Sequence, residues 1–147
     1  MNREVITDEN VAWWYYGESS PKNVGKFMTF IQGSVSDELQ SLVLKAIEQG
    51  ATTHVKHTNP GSVGMSPLAK GDTSVIVWYS SDDKESLKRL ASFMVENGLV
   101  PRTKKGRYYN ISFKYDIQTT SGEYGANFKS AIKLHDLMNL DTGVFYE

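Results

Sequence analysis

Hydrophobic positions recur along the chain at two spacings, and the alternation between them lays out strands and helices in turn. Residues 26–31 and 73–79 are short runs of apolar, aromatic and β-branched side chains, the first bounded by Gly25 and Gly33, and both predict strands. The second run is the most hydrophobic and is expected at the centre of a sheet. Leu39, Leu42, Val43, Ala46 and Ile47 instead follow the i, i+3, i+4 stripe of an amphipathic helix over 37–49. Ser34 and Asp37 stand at capping-box spacing before it, and Gly50 is placed for a left-handed C-cap. Leu87, Leu90, Ala91, Met94 and Val95 repeat the stripe over 84–97. Ser80, Ser81 and Asp82 offer N-caps there, and Asn97-Gly98 offers a stop.

Three further strands are predicted. Residues 11–16 contain four adjacent aromatics, and period two sends Trp13 and Tyr15 to one face, Trp14 and Tyr16 to the other. Residues 51–57 are polar, with Val55 and His57 on one face and His54 and Lys56 on the other, so this strand is expected at an edge or lining a groove. In 108–115, Tyr109, Ile111, Phe113 and Tyr115 share a face, leaving Asn110, Ser112, Lys114 and Asp116 opposite. Ile132, Leu134, Leu137 and Met138 predict a short third helix, and 144–146 a last strand or docked tail. The class is α+β: a curved, mostly antiparallel sheet with two or three helices on one face and the opposite face open. Residues 1–10 form a flexible arm and 11–147 a single domain. The Gly- and Pro-rich connection over 58–72 is longer than packing requires, which favours a functional loop.

Composition narrows the function. The chain of 147 residues has no cysteine, which excludes disulfides, thiol catalysis and Cys-rich zinc sites. No cofactor or metal is called for, since His54 and His57 fall on opposite strand faces. With a net charge of −1, no global field favours nucleic acid as partner. The N-terminus lacks the apolar core of a signal peptide and no run is long enough to span a bilayer, so the expected place is the cytoplasm, away from membranes. P-loop, dinucleotide-fold, nucleophile-elbow and zinc-protease signatures are absent.

Chemistry concentrates in two places. His54 and Lys56 set an imidazole and an amine on one strand face. Lys114 precedes Thr119, Thr120, Ser121, Gly122 and Tyr124, so that charge, hydroxyls and unhindered amides converge as they would around an anion. Together with residues 25–30, 45–50, 55–56, 75–79, 97–98, 113–124 and Asn127, these segments resemble the basophilic-leukemia-expressed protein family, also labelled phosphothreonine-lyase-domain proteins. The resemblance spans residues 13 to 128. It implies a fold similar to the cap-binding translation initiation factor 4E. It also implies that Lys26, Lys56, Lys114, Asp116, Thr119, Gly122, Tyr124 and Asn127 are ligand-binding positions. The chain differs in having Phe27 where the family commonly has Trp, and in its hydrophilic 51–54 segment.

The favoured expectation is a non-catalytic module that binds a phosphate-bearing small molecule or nucleotide on the open, concave sheet face. An anionic small molecule, nucleotide or phosphopeptide is the partner. Trp13, Trp14 and Trp78 are the candidates for stacking on its ring. The alternative is a phosphothreonine lyase-like enzyme that eliminates phosphate, with Lys56 as base and His54 protonating the leaving group. A third reading is a protein-interaction domain using exposed aromatics.

Overall fold

A computed structural model describes the backbone of residues 5–6 together with residues 13–59, 73–116 and 132–147. In chain order the elements are β1 (Val5–Ile6), β2 (Trp13–Gly17), β3 (Gly25–Gln32), α1 (Asp37–Gln49), β4 (His54–Thr58), β5 (Thr73–Ser80), α2 (Lys84–Glu96), β6 (Ser112–Tyr115) and β7 (Ile132–Lys133). The class is therefore α+β, and every strand pairing whose register is defined is antiparallel. The chain divides into two compact units, 1–20 with 28–79 and 21–27 with 80–147, and β3 contributes residues to both.

In the first unit the strand order is β1-β2-β4-β5-β3. The arm expected to be loose pairs in part, with Val5 opposite Tyr16 and Ile6 opposite Tyr15. β5 is central as its hydrophobicity predicts: Ser74 through Trp78 are all buried. β4 is not an edge strand, because it pairs with β2 on one side and β5 on the other. Its polarity is tolerated inside because the polar groups are satisfied. Thr58 Oγ1 accepts from the Val75 amide at 3.0 Å, and His57 is fully buried with both ring nitrogens bonded.

Helix α1 has the predicted bounds and buries Val43, Ala46 and Ile47. Its N-cap is Ser36, whose hydroxyl accepts from the Leu39 amide at 3.2 Å, and not Ser34. The turn that opens with Gly33 at φ +80° uses up Ser34 before the helix begins, and a cap must directly precede the first helical residue. Gly50 closes the helix at φ 74°, ψ 19°, as expected.

The second unit contains the start of β3, β6 and β7 in that order. Helix α2 is capped by Asp83, one residue beyond the predicted candidates, and its carboxylate accepts from the Ser86 amide at 3.0 Å. The Ser81 hydroxyl also donates to Asp83, and these bonds hold the carboxyl down at about 2. The strand expected over 108–115 begins only at Ser112. A close Ile111 N–H to Tyr109 C=O contact of 3.0 Å kinks the chain, which leaves Tyr109 half-exposed and Tyr108 bridged to Arg102. The third helix contracts to a single 3₁₀ turn, Leu134–Asp136. Ile132 before it is paired into the sheet opposite Phe113, and Met138 after it pairs back to Phe145.

The β3–β6 contact turns on Gly25. It lies opposite Tyr115, and a Cβ placed on it would come within 2.5 Å of the Phe113 ring. Phe27, two residues on and therefore on the same face, packs edge-on against Phe113 with centroids 5.3 Å apart. Overfilling such a site costs about 1–3 kcal/mol. Gly25→Ala is expected to lower the urea unfolding free energy by about that amount. An unchanged midpoint would show that the ring is not pressed against the strand.

Candidate functional site

Lys26 and Lys114 are directly opposite each other across the β3–β6 pair, so their side chains leave the same face of the sheet. Each is exposed by less than a tenth, at 7% and 8%. Asp116, two residues beyond Lys114 and on that same face, accepts from Lys26 Nζ at 2.7 Å. The Asp116 backbone amide is itself fixed to the Val24 carbonyl at 2.9 Å. Burial first, and then the Lys26 charge beside it, hold the Lys114 ammonium below its ordinary pKa. The two ammonium-bearing side chains are thus set side by side, with the Asp116 carboxylate on Lys26.

The first unit carries the other candidates. Tyr15, His54 and Tyr79, from β2, β4 and β5, form a row of near-parallel rings. Their centroids are 6.1 Å and 4.8 Å apart and the planes are tilted by 15° and 29°. Beside them Lys56 Nζ sits 4.2 Å from the centre of the Trp13 ring. The face of an indole attracts an ammonium group. All five side chains are half-buried, which makes this face less open than expected.

On the other face of β2 and β4 lies a buried pair. The Thr58 carbonyl can only accept, so His57 Nδ1 donates to it at 2.8 Å. In the neutral ring Nε2 is then the acceptor for the Tyr16 hydroxyl at 2.7 Å. Burial lowers the pKa of His57, against the opposing effect of the Thr58 bond, and pushes the Tyr16 phenol up to about 12. The Trp14 ring leans on His57 at 5.7 Å.

Of the expected binding residues, Lys26, Lys114 and Asp116 come together in the second unit, while Lys56 lies in the first beside Trp13. Thr119, Gly122, Tyr124 and Asn127 lie outside the described residues. Trp78 is corrected as a stacking candidate. It is fully buried and donates to Thr29 Oγ1 at 2.9 Å, so its ring packs the interior. Trp14 faces His57, and Trp13 faces Lys56. Sequence reading missed Tyr15 and Tyr79 as companions of His54. Their shared face follows from the β2–β4–β5 register, which a single strand does not reveal. Among the described residues no cluster of three His, Cys, Asp or Glu could hold a metal, and no helix is long and apolar enough to cross a membrane. No protein-family model matches the chain, and no curated protein matches it either.

The buried histidine sets a pH dependence. With a folded pKa below the unfolded imidazole's value of about 6.5, the unfolded state binds more protons as pH falls. The stability is therefore complete above about pH 6.5 and is lost progressively below it, down to the folded pKa. Urea titrations across that window should show a falling free energy for the wild type and a shallower fall for His57→Phe. Parallel slopes would place the titration elsewhere.

Proposed function

We propose that the protein is a non-catalytic module that binds a phosphate-bearing small molecule or nucleotide, with Lys26 and Lys114 as its charge clamp. The reading rests on one observation: two lysines directly opposite on neighbouring strands, both nearly buried, with Asp116 orienting one of them. Like charges directly opposite one another repel, and a bound anion would relieve that repulsion. A phosphate has enough oxygens to accept from both ammonium groups. We take the chain as a relative of the basophilic-leukemia-expressed family, with an initiation-factor-4E-like fold, acting in the cytoplasm.

Calorimetric titration with inorganic phosphate and with ATP tests the clamp. Loss of one charge-assisted hydrogen bond is worth about 1.5–3 kcal/mol, so Lys114→Met should weaken binding by roughly ten- to a hundredfold. Lys104→Met on the exposed 101–108 segment serves as the control. Undiminished binding by a folded Lys26→Met, Lys114→Met protein would remove the site from this strand pair.

One observation favours the elimination reading, namely the lowered pKa of Lys114, which would make Lys114 the base and not Lys56. Incubation with phosphothreonine peptides is expected to leave their mass unchanged. Loss of phosphoric acid that disappears with Lys114→Met would make the protein a lyase.

A further inference from the structure

The connection from α2 to β6 gathers positive charge that the fold neutralises only in part. Residues 101–109 read Pro-Arg-Thr-Lys-Lys-Gly-Arg-Tyr-Tyr, with four cations and no acidic residue. Their backbone is a closed hairpin. Arg102 and Tyr108 face each other in an antiparallel bridge, the Thr103 amide donates to the Arg107 carbonyl at 2.8 Å, and the Tyr109 amide donates to the Pro101 carbonyl at 3.0 Å. Gly106 turns the tip at φ +85°, and its amide donates to the Thr103 carbonyl at 2.9 Å. The returning arm is tied down by the Tyr108 amide, which donates to the Leu140 carbonyl at 3.0 Å. Of the four cations, Arg107 meets Asp141 at 3.4 Å, and Arg102 lies over the Tyr108 ring, 4.1 Å from its centre, and donates to its hydroxyl. Lys104 and Lys105 are exposed at the tip, and among the described residues neither meets a carboxylate.

Four cations within six positions of a stiff hairpin repel one another, and a polyanion relieves that repulsion while releasing its own counterions. The whole-chain charge of −1 steers nothing, so the attraction is local to this hairpin. Each exposed contact adds little by itself. Phosphate or ATP therefore gains little here, whereas a polymer that meets several cations at once is held. Tyr109 sets the kind of polymer. It directly follows the hairpin with its backbone fixed and 49% of its surface in water, and an exposed ring beside cations gives an unpaired base a face to stack on. An acidic protein has no such use for it.

We propose that the 102–109 hairpin is a docking surface for single-stranded nucleic acid, with Arg102, Lys104, Lys105 and Arg107 on the phosphates and Tyr109 stacked on a base. The surface is independent of the Lys26–Lys114 clamp. It reads charge and unpaired bases, not sequence. Three or four phosphates are engaged, according to whether Arg107 keeps its contact with Asp141.

Fluorescence anisotropy with a labelled oligouridylate of about ten nucleotides tests the proposal on the intact protein. Affinity is expected to fall roughly 15- to 50-fold between about 50 and 200 mM salt, a log–log slope of about −2 to −3 at about 0.7 per phosphate. The Lys104→Gln, Lys105→Gln protein should show a slope shallower by about 1.4. Tyr109→Ala should weaken binding about fivefold or more and leave the slope unchanged. Lys45→Gln, exposed on α1, should alter neither quantity. Circular dichroism checks each fold, and the salt slope of the wild type gives an answer that needs no variant. Absence of binding at about 50 mM salt, or binding insensitive to salt, overturns the proposal. A duplex of the same length bound as tightly as the single strand overturns the role of unpaired bases. Equal binding of polyglutamate, together with an unaffected Tyr109→Ala protein, would make the hairpin a surface for acidic proteins and overturn nucleic acid as its partner.

Discussion

The second unit depends on a steric fit: the Phe113 ring fills the space that any side chain at position 25 would occupy. Only glycine lets β3 and β6 approach, and their approach is what sets the register. Because side chains alternate along a strand, placing Gly25 and Phe27 under Phe113 sends Lys26 to the other face, where Lys114 and Asp116 also project. The apolar contact is thus the cause of the polar one. A one-residue slip would bury a lysine against Phe113 and separate the two ammonium groups.

Where periodicity decides structure, the sequence is a good guide. Both helices follow their stripes, and α1 ends at Gly50 because no other residue adopts that conformation so readily. The errors arise where hydrogen bonds override hydropathy. The 51–57 segment looks like an edge because it is polar along its length, but the bonds of His57 to Tyr16 and of the adjoining Thr58 to Val75 let these groups lie inside the sheet. The N-caps are displaced by one or two residues because Ser34, Ser36, Ser80 through Asp83 are all competent, and turn geometry chooses among them. The 132–138 segment has helical spacing but pairs to its neighbours first.

The candidate site was legible in its residue types and not in its geometry. Lys26, Lys114 and Asp116 can be named from a resemblance, but their direct opposition is a property of strand register between distant segments. The two buried bases illustrate how environment differentiates chemistry. Burial favours the neutral form of His57, against the opposing effect of the Thr58 bond, and both its nitrogens are bonded, so it serves the fold. Lys114 is shifted down by burial and by the neighbouring Lys26 charge.

Lys56 over Trp13 has an optical consequence. An ammonium 4.2 Å from an indole centroid perturbs the excited state of that ring, whereas Trp78 is enclosed and hydrogen-bonded to Thr29. The protein thus carries its own reporter dye. A change that drew Lys56 off the ring would alter the emission of Trp13 against the background of Trp14 and Trp78, readable as colour without a label.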